Sequence, residues 1–218
     1  MLEDLTNWAP QLLTGLGLTV ELTFGGMAIA LVLALLLALG RISSSRWLRV
    51  PAAAFVELIR GSPLLLQLFY IYYVLPAVGL RLSPIMAGLI GLGINYGAYL
   101  SEVFRAGIVA VGRGQREAAE SLGMSEGQTL RFVILPQAWR IVIPPTGNYF
   151  VSMFKDTALV STISLAELMF QGQLIASDTF RYMTIYSIIF VIYVVISIPA
   201  SMGVRWLELY FNRSMSSR

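Results

Sequence analysis

The sequence predicts an all-α membrane protein in which five transmembrane helices leave the N-terminus outside and the C-terminus in the cytoplasm. Three observations carry that prediction. Hydrophobic residues make up 57% of the 218 and charged residues 12%, with a mean hydropathy of +0.75. A soluble domain carries roughly 25% charged residues, so this chain has too few to cover a water-facing surface. Several uncharged runs approach or exceed the ~20 residues that a helix needs to cross the hydrocarbon. The basic residues, finally, fall unevenly between the runs, which sets orientation.

Taken in order, the uncharged runs are Leu22–Gly40, Gly61–Leu80, Leu82–Ser101 and Tyr182–Val204. No Lys or Arg precedes Arg41, and Glu3 and Asp4 lie near the start. A secretory signal begins basic, so the first run is expected to be an uncleaved span. The region Ile141–Glu167 is apolar but interrupted by Pro144-Pro145, Gly147 and the pair Lys155-Asp156. It reads as a broken fourth span, because irregular backbone survives at membrane depth only inside protein or along a cavity. Arg41, Arg46 and Arg49 follow the first span, Arg105, Arg113, Arg116, Arg131 and Arg140 the third, and Arg205, Arg213 and Arg218 the fifth. Arg81 and Arg181 alone lie on the other side. The positive-inside rule then puts residues 105–140, the longest loop, in the cytoplasm. The whole chain, 1–218, is expected to form one transmembrane domain.

Absent residue types narrow the chemistry. Without Cys there is no disulfide, thiolate nucleophile or Cys-ligated zinc, and without His the usual general base and metal ligand are missing. The single Lys, Lys155, follows Phe154. A phosphate-binding loop needs Gly-Lys, so this chain cannot hold one and no cofactor of its own is expected. The net charge is only +3 and the arginines sit in loops, which fits membrane orientation and not a nucleic-acid surface.

The cytoplasmic loop contains Gly114-Gln115-Arg116-Glu117-Ala118-Ala119-Glu120-Ser121-Leu122-Gly123-Met124 and ends at Ile134-Leu135-Pro136. Residues 117–122 favour helix or are small, and Gly123 is placed to stop that helix. Glu117, expected near its start, would complement the helix dipole and could pair with an Arg of a partner. Glu117-Ala118-Ala119, Gly123, Val133, Leu135 and Pro136 fall on the spacing of the EAA signature. The segment therefore resembles that of importer permeases of the ATP-binding-cassette class. Glu57–Gln67, Ala98–Arg105, Pro136-Gln137-Ala138 and Phe154–Val160 are similar to the polar amino acid branch, so the likeness covers residues 14–206. The resemblance implies a type I importer fold in which Glu117, Ala118, Ala119, Gly123, Leu135 and Pro136 couple the permease to its ATPase. It also implies a second permease subunit, cytoplasmic ATPase subunits that bind ATP and Mg, an extracytoplasmic solute-binding protein and a bacterial inner membrane.

Charges at membrane depth are costly and mark pathways. Glu102 and Arg105, and Glu57 and Arg60, stand three residues apart on expected helices and can pair, as structural contacts or as a gate. Lys155 and Asp156 diverge by about 100° on a helix, so both cannot hide on one face. They either neutralise one another or face a pathway. A zwitterion needs a donor for its carboxylate and an acceptor for its ammonium. Asn95, Tyr99, Lys155, Asp156, Ser161, Thr162 and Glu167 are accordingly the candidate substrate contacts. Gly88, Gly91, Gly93 and Gly97 read as helix-packing positions. A secondary transporter or channel would explain the hydropathy equally well but would leave the register of residues 117–136 as coincidence.

Overall fold

The computed structural model describes residues 2–216; Arg218, counted above for orientation, lies outside them. The described residues are helical throughout, with no strand. Helix α1 (Leu2–Ile42) is 41 residues long. At about 1.5 Å per residue it is roughly twice the hydrocarbon thickness, far longer than the span Leu22–Gly40 expected from the sequence. Its C-terminal half packs along α4 (Pro84–Ala110), forming the main helix pair of the fold.

Between them lies the largest departure from expectation. Gly61–Leu80 is not one straight span. The amphipathic helix α2 (Arg46–Arg60) turns by 105° into Leu64–Val78, which comprises α3 (Leu64–Phe69), a π turn at Tyr70–Val74 and a 3-10 turn at Leu75–Val78. The bend follows from Gly61-Ser62-Pro63. Gly61 caps α2, and Pro63 keeps the residue before it out of the helical region. Exposed Trp47, Leu48 and Val50 beside Arg46 and Arg49 give α2 the make-up of a helix lying in the membrane interface.

The fourth region breaks at only one of its expected interruptions, directly after Lys155-Asp156. Helix α5 (Arg113–Ser121) is followed by the short turn α6 (Glu126–Gln128), a π segment at Thr129–Ile134 and α7 (Leu135–Asp156). Helix α7 runs straight through Pro144 and Pro145, and the α-helix ends only after Asp156. The cause lies in the hydroxyls of the next segment, Thr157–Ile163, which is 3-10. Thr157, Ser161 and Thr162 donate to the carbonyls of Phe154, Ala158 and Leu159, three residues back, at 2.7, 2.7 and 2.6 Å. Such local bonds compete with the α-helical ladder. Ser164, at φ 62°, closes the segment, and α8 (Leu168–Thr179) leaves it at a bend of 52°. Helix α9 (Tyr182–Ser216) returns along α7 and α8.

By length and composition, α1 and α9 can each cross a membrane, and the two bent pairs raise the number to four among the described residues. Helix α4 is long enough at 27 residues, but its glycines, tyrosines and Asn95 dilute its hydropathy. It is an interior helix, buried along most of its length.

Glycine makes that burial possible. A Cβ on Gly93 would lie 2.5 Å from Ile29 Cγ2 and 2.8 Å from Ile29 Cβ, and one on Gly97 would meet Leu33 at 2.9 Å. Gly93 and Gly97 are four apart, as are Ile29 and Leu33, so the two helices approach as a small-residue stripe against a branched one. Gly93→Ala should therefore cost about 1–3 kcal/mol by overpacking and lower the thermal midpoint in detergent. Gly17→Ala, where a Cβ meets nothing within 4 Å, should leave the midpoint unchanged.

Candidate functional site: a cavity between α4 and α7 and a capped surface segment

Helix α4 presents Asn95, Tyr96 and Tyr99 on one side, and α7 brings Tyr149, Ser152 and Asp156 to meet them. With Ser62, Pro63 and Leu64 from the α2–α3 bend they enclose a cavity of about 300 Å³. The Tyr96 hydroxyl donates to Asp156 Oδ2 at 2.7 Å, which fixes the carboxylate on the cavity wall. Asn95, 6% exposed, donates to Gln67 Oε1 at 3.1 Å. Gln67 in turn donates to Ile59 O at 2.7 Å and to the Ser62 hydroxyl at 2.9 Å. The bend is thus pinned to α4 by side-chain amides, satisfying the carbonyl freed where the helix stops.

At one end of the cavity, next to Tyr99, Glu102 gathers three arginines. It accepts from Arg41 of α1, from Arg60 of α2 at 3.3 Å and from Arg105 of α4 at 3.0 Å. Arg60 also sits over the Tyr99 ring, 5.4 Å from its centroid. The expected Glu102–Arg105 pair is present. The expected Glu57–Arg60 pair is not, because Arg60 turns toward Glu102, whose carboxylate lies beneath the end of α2.

The structure divides the other sequence candidates. Lys155 and Asp156 do not pair. Asp156 faces the cavity, while Lys155 is exposed in a separate groove of about 620 Å³ between α7 and α9 that also holds Tyr193 and Arg205. Ser161 and Thr162 are occupied within the 3-10 segment, where Thr162 O accepts from the Tyr73 hydroxyl at 3.2 Å. Glu167 is fully buried and lies away from the cavity. It caps α8, accepting from Phe170 N at 2.9 Å, and ties in Thr19 of α1 and Tyr193 of α9 at 3.3 and 3.2 Å. Residues the sequence reading passed over, Ser62, Tyr96, Tyr149 and Ser152, complete the cavity. Tyr96 was open to detection, since it lies one helical turn before Tyr99.

The segment from Arg113 to Gln128 forms a helix, a tight turn and a second, short helix. Gly123 has φ +76°, Met124 N bonds to Ala119 O at 3.1 Å, and Gly123 N to Glu120 O at 2.9 Å. That pair of bonds is a Schellman cap, which requires the left-handed residue that glycine supplies. Ser125 and Gln128 then form a capping box for the next helix. Helix α5 starts at Arg113, four residues earlier than expected, so Glu117 lies beyond the first turn and gains little from the dipole. Gln137 donates to Gln115 at 3.2 Å and holds α5 against α7. Glu117, Ala118, Ser121 and Leu122 (82% exposed) face outward, while Ala119 is buried. Leu135 and Pro136 open α7, where a proline's missing N–H is harmless.

A family model, the binding-protein-dependent transport system inner membrane component, matches residues 30–217. The chain belongs to this family. The permease is similar to the "Probable amino-acid ABC transporter permease protein y4tG" of Sinorhizobium fredii (strain NBRC 101917 / NGR234), at 43% identity over 200 residues, 92% of this chain and 87% of the relative. It is 38% identical over 201 residues to the glutamine transport system permease protein GlnP of Escherichia coli (strain K12), covering 91% and 92% of the two chains. Among solved structures, a chain of an amino acid ABC transporter crystallised with histidines superimposes with a TM-score of 0.87 at 40% identity, covering 96% of the permease and 97% of that chain. A chain of the inward-facing MetNI methionine ABC transporter shares the fold, with a TM-score of 0.69 at 19% identity over 90% and 96% of the two chains.

The arginine cluster yields a prediction. Arg41 is 13% exposed, so removing the Glu102 charge strands a nearly buried guanidinium. Glu102→Gln should destabilise the permease by roughly 2 kcal/mol or more. Arg60→Gln, losing a half-exposed pair, should cost about 1 kcal/mol at most. Thermal melting of the two purified variants separates these outcomes.

Proposed function

We propose that this chain is one of two permease subunits of a bacterial inner-membrane importer that carries a polar amino acid, or a similar small zwitterionic solute. An extracytoplasmic binding protein delivers the solute, and separate cytoplasmic ATPase subunits, holding ATP and Mg, drive the cycle. The observation that carries the reading is Asp156, a carboxylate held at membrane depth on the wall of a polar cavity. Tyr96 engages one of its oxygens, which leaves acceptor capacity for an ammonium group. The second amide hydrogen of Asn95 and the hydroxyls of Tyr99 and Tyr149 add neutral donors. The names of the relatives point to the same class of solute.

The topology follows from the same features. Five spans result when α4 is counted with α1, α9 and the two bent pairs, its low hydropathy being that of a helix surrounded by protein. Arginine placement then puts the N-terminus outside and the C-terminus in the cytoplasm. On that side lies the capped α5 segment, whose exposed Glu117, Ala118 and Leu122 present a face for the ATPase. Gly123 shapes the turn behind that face, and Leu135 and Pro136 carry its motion into α7. Lys155 and the buried candidates Ser161 and Glu167 are read as shaping the fold around the pathway.

Reconstitution with its ATPase and binding protein in proteoliposomes tests this reading. Uptake of the binding protein's cargo should require ATP and should stop with a hydrolysis-dead ATPase. Asp156→Asn should lower uptake by on the order of tenfold, the loss of one charge-assisted hydrogen bond, with complex assembly intact. Uptake that persists with the dead ATPase would point instead to a secondary transporter or channel.

A further inference from the structure

A second cavity, of about 430 Å³, opens where the α1–α2 loop meets the docking segment. Its floor is Leu39, Ile42 and Leu130, and its polar rim is Ser43, Ser44, Arg116, Glu120, Glu126 and Thr129. Arg116 and Glu120 are one turn apart on α5, yet neither they nor Glu126 make an ion pair among the described residues. Thr129, on the wall, is 5% exposed and its buried hydroxyl has no hydrogen-bond partner. Buried polar groups are normally satisfied, so the cavity wall holds unused hydrogen-bonding capacity. Two carboxylates face one guanidinium, and Leu39 and Ile42 belong to the last turn of α1, whose carbonyl end carries partial negative charge. The balance favours a cation.

We propose that this cavity receives a basic side chain, Lys or Arg, of the ATPase subunit, as a contact separate from the outward face of Glu117, Ala118 and Leu122. The proposal rests on the ABC-importer reading above. Its consequence is a second route for coupling. The side chain would bridge α5 to the end of α1, two residues from Arg41, and Arg41 bonds to Glu102 on the helix that bears Asn95, Tyr96 and Tyr99. Movement of the ATPase would then reach the cavity wall through α1 as well as through α7.

The test is the affinity of the full ATPase for the permease in nanodiscs, measured for three variants. Glu120→Gln combined with Glu126→Gln should weaken association by on the order of tenfold, with a steeper effect at low salt. Arg116→Gln, which removes the like charge, should leave association equal or tighter. The permease has no native Cys, so Ser44→Cys can carry a photo-crosslinker, and the crosslink should map to a basic segment of the ATPase. Unchanged affinity in the double variant, or crosslinks that avoid the ATPase, would overturn the proposal. So would weakening by Arg116→Gln together with displacement by free L-glutamine, which would mark a zwitterion site. Failure of the unaltered permease to bind any ATPase would instead contradict the importer reading itself.

Discussion

One carboxylate organises the half of this molecule that holds the ends of α1 and α2. Guanidinium groups from α1, α2 and α4 converge on Glu102, at a depth where an unpaired charge would be costly. Because each arginine belongs to a different helix, the need to neutralise them fixes where the three helices end relative to one another. The 105° bend after α2, set by Gly61-Ser62-Pro63, is what brings Arg60 to that carboxylate. Without it, Arg60 could not lie against α4, and Ser62 and Gln67 would not reach the cavity. Three positive charges against one negative also leave this end of the cavity electropositive, opposite in sign to the Asp156 end.

Close packing complements that electrostatic anchor. Lipid tails are as apolar as leucine, so helices in a membrane gain little from hydrophobicity alone and must fit closely or share polar contacts. The pair α1–α4 uses the first means, through Gly93 and Gly97. The N-terminal half of α1 uses the second, through Thr19 and Glu167, which tie it to α8 and α9. The first of these buries most of α4 from Leu92 to Ser101, the stretch that carries the cavity wall.

How far the sequence foretold this depends on the range of each interaction. The positions of the apolar runs, the Gly123 turn and the Glu102–Arg105 pair were legible because each depends on residues a few positions apart. Asn95, Tyr99 and Asp156, grouped from the sequence, line one cavity, since polar residues in apolar helices have few places to go. The partners of Arg60 and Glu167 were not legible, because those contacts join residues 42 and 148 positions apart. Of the interruptions in the fourth region only Lys155-Asp156 marks a break: Pro144 and Pro145 are accommodated within α7, and Thr157, Ser161 and Thr162 turn the backbone just after Asp156. Glu167 looked like a pathway residue because it is a carboxylate in an apolar run, and it serves instead as a helix cap.

The central claim is that the Asn95–Tyr99–Asp156 cavity lies on the route of the solute. Since the chain contains no Cys, Ser152→Cys gives a single reactive position on the cavity wall. Its rate of modification by a small charged thiol reagent can be followed in the reconstituted complex across the ATP cycle. The account predicts that the reagent reaches position 152, that the rate changes between nucleotide-free and ATP-bound states, and that cargo-loaded binding protein slows it. Modification that never occurs, or a rate indifferent to both nucleotide and cargo, would contradict it.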